Sequence, residues 1–161
     1  MKKLNATTKG FITGILMILT SLGIFQVMGN FENNLQYIVY LMYIGGILWT
    51  LLDYKKRGSG PFTFKSYFSQ GFKCFIVITL LMVIFTWAFM EFNPSLEDEM
   101  AKNYRAELIT QANYTASEID SMVQKAQKYF VPMLTSMAIF GYLVIGAMVT
   151  AIASLMISRQ K

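Results

Sequence analysis

Four long apolar runs divide the chain, with short polar segments between them and one longer polar segment before the last run. They cover about residues 10–28, 35–52, 72–92 and 130–157. A helix needs about 20 apolar residues to cross the roughly 30 Å hydrocarbon core of a bilayer. The pattern therefore predicts an all-α protein, a four-span transmembrane helical bundle that forms one integral membrane domain over residues 1–161.

The first apolar run follows a basic start, which is also how a secretory signal peptide begins. A signal peptide has a shorter apolar core of about 7–15 residues and a small-residue cleavage site after it. The run at 10–28 is longer, and the sequence that follows it, QVMGNFEN, has no such site. We therefore expect an uncleaved membrane span.

The longest polar segment, residues 93–129, carries two helix-start patterns. They are Ser95-Leu-Glu-Asp98 and Thr115-Ala-Ser-Glu118, in which a hydroxyl and an acid three residues later each accept a backbone N–H. Apolar residues at helical spacing follow each start. We expect an extracytoplasmic helical hairpin between spans 3 and 4, and the alternative lays both helices flat on the outer leaflet. The first stripe is Leu96, Met100, Tyr104 and Leu108, with Ile109 and Ala112 beside them, and the second is Ile119, Met122, Val123, Ala126 and Phe130.

A shorter helical pattern precedes the third span. Thr63 can cap a helix that begins at Phe64, and aromatic residues then recur on one helical face. We interpret this stretch as an amphipathic turn in the membrane interface. Asp53, at the end of the second run, is expected to be solvated and paired with its basic neighbours.

Small residues within the spans are the candidate interaction positions, because they let helix backbones approach closely. We interpret them as packing sites within the bundle or between copies of the chain. They are Gly10, Gly14, Gly45, Gly46, Gly141, Gly146, Ala147, Thr150, Ala151 and Ser154.

Positive charge is concentrated on one predicted side of the membrane. Basic loops beside membrane spans remain cytoplasmic, so both termini and the loop after the second run are expected in the cytoplasm of a cell with an inner membrane. The segments on the other side hold four basic residues, Lys102, Arg105, Lys125 and Lys128, and most of the acids. The basic residues expected inside are Lys2, Lys3, Lys9, Lys55, Lys56, Arg57, Lys65, Lys73, Arg159 and Lys161.

The composition offers little for catalysis or for metal binding. The chain has no His and one Cys, Cys74, so the usual ligands of zinc, haem and iron–sulfur centres are missing. Glu91, Glu97, Asp98 and Glu99 could supply oxygen ligands to a divalent cation, but an acidic helix start accounts for them better. We expect no cofactor, no metal site and no nucleic-acid partner. The expected partners are the lipid bilayer and a protein partner or a second copy of the chain.

Three functions remain open from these residues. The leading hypothesis is a non-enzymatic membrane protein whose outside hairpin contacts a partner or supports oligomerisation. A small transporter or channel subunit is the second, although the spans lack the deep ionisable residues on which coupled transport usually relies. A lipid-modifying membrane enzyme is the third.

Two segments carry a resemblance to a known family. They are FTFKSYFSQGFK at 62–73, before the third span, and YTASEI at 114–119, ahead of the fourth. With four spans in this layout, the chain resembles the DUF4199 family of small bacterial membrane proteins, found mainly in Bacteroidetes. The resemblance implies a bacterial inner membrane and brings no activity, ligand or catalytic residue with it.

Overall fold

The computed structural model describes residues 4–28, 35–58, 62–111 and 113–159. The described residues form five helices and no strand, so the all-α prediction is confirmed. The loop predicted at 29–34 lies outside the described residues. The helices are α1 (Ala6–Met28), α2 (Gln36–Arg57), α3 (Phe64–Phe92), α4 (Pro94–Thr110) and α5 (Ala116–Arg159).

Four of these helices, α1, α2, α3 and α5, are long and apolar enough to cross a membrane. This confirms the prediction of four spans. The helices extend beyond the apolar runs, because the polar residues at their ends are compatible with helical backbone. The longest, α5, has 44 residues and combines the second hairpin helix with the fourth span, with Pro132 inside it. The sequence pattern had placed a boundary between these two parts near residue 130.

Helix ends follow local capping chemistry at four places. The Asn5 side chain accepts the Thr8 backbone N–H at 2.7 Å and so begins α1. Gly58 ends α2 in a left-handed conformation, φ 63°, which glycine adopts without a steric penalty. Thr63 accepts the Ser66 N–H at 3.4 Å at the start of α3, as predicted. The Thr115 N–H donates to the Glu118 carboxylate at 2.8 Å, so the second predicted capping box is confirmed.

The predicted start at Ser95 is wrong. The cap of α4 is Asn93, and Pro94 follows as the first residue of the helix. Proline fits that position because its missing N–H would have no partner inside the helix. The Asn93 side-chain amide donates back to the Phe89 carbonyl at 2.7 Å, which ties the start of α4 to the end of α3.

The aromatic stretch at the start of α3 is also different from its prediction. It is the first part of one continuous helix, Phe64–Phe92, rather than a separate turn. Its aromatic residues face two ways. Tyr67 and Phe75 are 1% and 2% exposed, whereas Phe64 and Phe72 are exposed. The aromatic residues that were predicted to share one helical face are therefore only partly packed inside the protein.

The chain divides into two compact units, Met1–Met82 with Ile139–Lys161, and Val83–Ala138. In the first unit α1 and α2 are antiparallel, because Lys9 contacts Asp53 while Thr20 contacts Met42 near the opposite ends. The core of this unit is built from all four of its helical segments. Its most deeply buried side chains include Met17, Tyr43, Ile47, Leu51, Phe75, Ile78 and Thr150.

The second unit contains a helical hairpin, formed by α4 and residues 116–129 of α5. Ala101 and Leu108 on α4 form one buried cluster with Ile119 and Val123 on α5. Tyr104 and Met122 pack against this cluster. The two predicted stripes therefore do pack on each other, although Ala101 takes the place expected for Met100 and Ala126 is not part of the cluster.

The hairpin core allows a test with two adjacent residues. Leu108 is 3% exposed and Ile109 is 59% exposed. We expect Leu108→Ala to destabilise the hairpin by about 2–5 kcal/mol, because truncating a buried leucine leaves a cavity. Hydrogen exchange over residues 96–125 should then rise, while Ile109→Ala should leave exchange unchanged. Equal exchange in both variants would contradict this core.

Candidate functional site

The most unusual group in the structure is a charged cluster in the first unit, which we define as Lys9, Asp53 and Arg57. Lys9 is only 3% exposed, and its ammonium group donates a hydrogen bond to the Asp53 carboxylate. Arg57 lies 2.5 Å from the same carboxylate oxygen. The Arg57 guanidinium also donates to the Leu4 carbonyl, so the cluster joins the start of α1 to the end of α2.

Local sequence brings these three side chains together. Because Asn5 caps α1, Lys9 falls in the first turn of the helix. Asp53 and Arg57 are four residues apart on α2 and so lie on the same face, one turn apart. The antiparallel packing of α1 on α2 then places Lys9 opposite Asp53.

Burial makes this cluster energetically important. A buried ammonium group loses its water and needs an opposite charge in return. Among the described residues, Asp53 is the acid that pairs with Lys9, and the Lys9 ammonium also lies 5.1 Å from the centre of the Trp49 ring. A cation over an aromatic face gains further electrostatic stabilisation. The cluster is thus suited to clamping two helix ends together.

Sequence reasoning found only half of this cluster. Asp53 was expected to pair with basic neighbours, and Arg57 is such a neighbour. Lys9 was counted only as a charge that sets membrane orientation. The available signal was the pair Asn5 and Thr8, which predicts a helix start early enough to include Lys9.

A second polar group lies in the interior of the first unit. The Tyr43 hydroxyl donates to the Tyr142 carbonyl at 2.8 Å and lies 3.4 Å from the Thr79 hydroxyl. The Thr50 hydroxyl is 2.9 Å from the Gly46 carbonyl and 3.2 Å from the Cys74 sulfur. Cys74 itself is fully buried. These contacts connect α2 with α3 and α5.

Four of the six predicted glycines lie against another helix. A methyl group at Gly10 would be 2.6 Å from the Cys74 carbonyl oxygen, and one at Gly14 would be 2.7 Å from a Leu81 methyl. At Gly46 it would be 2.5 Å from Thr13. A methyl group at Gly146 would overlap the Tyr43 hydroxyl and lie 2.8 Å from the Phe75 ring.

The other predicted positions have different surroundings. Nothing lies within 4 Å of a methyl group placed at Gly45 or at Gly141. Ala147 and Ala151 are partly exposed. Thr150 and Ser154 are fully buried, and their hydroxyl groups have no hydrogen-bond partner among the described residues.

Sequence reasoning missed one packing glycine. Gly71 on α3 is buried, and an added methyl group would overlap Thr150 on α5. Its position inside an aromatic stretch hid its role, because the sequence pattern grouped it with the interfacial face. The contact shows that α3 and α5 approach closely where a glycine faces a threonine.

The described residues contain no group of three or more His, Cys, Asp or Glu side chains that could hold a metal ion. The charged cluster contributes one carboxylate, and that carboxylate already pairs with two cations. In the part of the chain that the structure describes, the charged cluster supplies ion pairs and the small residues supply close helix packing.

One protein family matches the chain, and the match extends across both units. The family described as "Protein of unknown function (DUF4199)" matches residues 8–159, from the first turns of α1 to the end of α5. No curated protein and no solved structure matches the chain. The family match includes the charged cluster, the helical hairpin and all but the first two residues of the four candidate spans. The chain belongs to the DUF4199 family.

Proposed function

We propose that the protein is a non-enzymatic, multi-pass protein of the bacterial inner membrane whose hairpin contacts a protein on the extracytoplasmic side. The observation that carries this proposal is the hairpin's own buried core, formed by Ala101, Leu108, Ile119 and Val123. An ion pair between Arg105 and Asp120 also joins its two helices. A folded element of this kind presents a defined surface, which a flexible connecting loop would not.

The end of the hairpin offers apolar side chains to a partner. Ile109, near the end of α4, is 59% exposed, and Tyr114, just before α5, is 41% exposed. Aromatic side chains are enriched in the buried centres of protein interfaces. These two residues, which we call the hairpin tip, are the positions where we expect contact with a partner.

Membrane orientation is the first test of this proposal. The basic residues Lys55, Lys56 and Arg57 follow the second span, and basic loops remain cytoplasmic. We expect a reporter fused after residue 161 to be active only in the cytoplasm, and one inserted at Gln111 to be active only outside it. A C-terminal reporter active outside the cytoplasm would refute the orientation.

Contact at the hairpin tip can be tested with a photo-reactive amino acid. We expect cross-linked products in intact cells when the residue replaces Ile109 or Tyr114. Asn103, an exposed polar residue on α4, is the matched control position and should give no product. Absence of product at both tip positions, or equal product at Asn103, would overturn the proposal.

The size and composition of the product identify the type of partner. A product of two copies of the chain indicates a homo-oligomer, and a product with a different protein indicates a heteromeric complex. Replacement of Ile109 by Ala should reduce cross-linking from Tyr114 without increasing hydrogen exchange in the hairpin. That combination separates loss of contact from loss of folding.

A second candidate function, a small transporter or channel subunit, rests on the buried hydroxyl groups of Thr150 and Ser154. Unpartnered hydroxyls in a helical bundle could interact with a small polar solute that crosses it. The protein can be reconstituted into proteoliposomes, which swell when a solute added outside enters them through the protein. Swelling that is lost in Thr150→Val and retained in Thr110→Val, an exposed control on α4, would favour transport over the first proposal.

A further inference from the structure

An apolar groove opens on the surface of the first unit, between the start of α3 and the last turns of α5. It has a volume of about 340 Å³ and is lined by Phe64, Ala151, Ile152 and Leu155. This volume lies at the lower end of the roughly 300–1,000 Å³ that is typical of ligand clefts. The lining is almost entirely apolar, so its occupant must present hydrocarbon.

Two basic residues lie close along the chain to the residues that line this groove. Lys65 follows Phe64 directly, and Arg159 lies four residues after Leu155, one helical turn further along the same face. Both side chains are exposed, and neither forms an ion pair with a described acid. Residues 62–90 and 139–159 contain no Asp or Glu, so the positive charge at this end of α3 and α5 is not neutralised within those segments.

From this geometry we propose that the groove binds an anionic glycerophospholipid, with one acyl chain against Ile152 and Leu155 and the headgroup phosphate beside Lys65 and Arg159. Hydrocarbon contact and phosphate pairing are then supplied by one molecule. Basic pockets between membrane helices bind anionic headgroups for the same electrostatic reason. The inference goes beyond the proposed contact at the hairpin tip, and it does not depend on the membrane orientation.

The experiment uses the full chain in phosphatidylcholine vesicles that contain phosphatidylglycerol with a photo-reactive acyl chain. We expect adducts on Phe64 and on residues 151–155, located by mass spectrometry. The double variant Lys65→Gln/Arg159→Gln should lower their yield on the order of tenfold, because each basic side chain near an anionic headgroup contributes to binding. Lys125→Gln/Lys128→Gln, in the hairpin, is the control and should leave the yield unchanged.

A groove-filling variant separates a lipid site from simple surface charge. Ile152 is 57% exposed, so Ile152→Trp can fill the groove without entering the core. We expect this variant to lose the adducts on residues 151–155 while Lys65 and Arg159 are intact. Adducts that persist in Ile152→Trp, or that are equally abundant in the Gln double variant, would overturn the proposal.

The remaining outcomes are also decisive. Photo-reactive phosphatidylcholine should give adducts in equal yield in the wild type and in the Gln double variant, because it lacks the net negative charge. Adducts from phosphatidylcholine at the wild-type phosphatidylglycerol yield would show that the groove does not select charge and would refute the site. A cross-link between two chains from a photo-reactive residue at position 152 would assign the groove to a dimer and would also refute it.

Discussion

Replacement of Gly146 by Ala is expected to destabilise the protein by about 1–3 kcal/mol, the usual cost of adding volume to a well-packed core. The new methyl group would overlap the Tyr43 hydroxyl and lie 2.8 Å from the Phe75 ring. The Tyr43 side chain has no freedom to move away cheaply, because its hydroxyl donates to the Tyr142 carbonyl and the residue is fully buried. Replacement by Leu should cost more.

Gly141 is the matched control for this prediction. It lies on the same helix, five residues before Gly146, and nothing lies within 4 Å of an added methyl group. Gly141→Ala should therefore leave stability unchanged or raise it by up to about 1 kcal/mol, since alanine favours helix more than glycine does.

The measurement is unfolding of the purified protein in detergent, followed by circular dichroism and by intrinsic fluorescence. Gly146→Ala should unfold at a lower denaturant concentration, and Gly141→Ala should not. Tyr43→Phe in the Gly146→Ala background should recover part of the loss, because it removes the hydroxyl that the methyl group would meet. Equal stability of the two alanine variants would show that Gly146 does not face the α2–α3 packing surface.

The spans could be predicted from sequence because the cost of placing polar residues in hydrocarbon dominates every local preference. A run of about 20 apolar residues is sufficient evidence for a crossing helix. The hairpin was predictable for a related reason. The Thr115 hydroxyl accepts the Glu118 N–H and the Glu118 carboxylate accepts the Thr115 N–H, so this helix start needs no distant partner.

The role of each glycine could not be predicted in the same way. Gly45 and Gly46 are adjacent on α2, yet Gly46 lies against Thr13 of α1 while Gly45 has open space. The difference depends on how α2 is rotated about its own axis. That rotation is set by tertiary packing of the whole bundle, which small-residue spacing within one helix does not encode.

Lys9 illustrates a different limit. A lysine before an apolar run is normally a solvated charge that fixes orientation. Here the helix begins at Ala6, so Lys9 lies on the buried stripe that also contains Thr13 and Met17. Its pairing with Asp53, 44 residues away, depends on the register between α1 and α2.

The charged cluster leads to the second large prediction. Asp53→Ala is expected to destabilise the protein by about 3–5 kcal/mol, because removing one partner leaves the other charge buried and unpaired. Lys9 is 3% exposed and would then have Trp49 beside it and no carboxylate. The effect should be measured by the same denaturant titration in detergent.

The reverse substitution should be milder. In Lys9→Met the Asp53 carboxylate keeps Arg57 as a partner at 2.5 Å, and methionine fills the space of the lysine stem. The double variant Lys9→Met/Asp53→Ala should therefore be close to Lys9→Met in stability and well above Asp53→Ala. This asymmetry separates a buried ion pair from a general effect of substitution at a helix end.

The exposed ion pair of the hairpin supplies the control for the charged cluster. Arg105 and Asp120 are 50% and 61% exposed, so Asp120→Ala should change stability by no more than about 1 kcal/mol. High salt should weaken this exposed pair more than the Lys9–Asp53 pair, in which Lys9 is 3% and Asp53 32% exposed, because counterions screen exposed charges more effectively. If Asp53→Ala were as mild as Asp120→Ala, Lys9 would have to reach solvent when its partner is removed. The charged cluster would then be a surface contact, and apolar packing such as that of Thr13 on Gly46 would hold this end of α1 and α2 together more than the ion pair does.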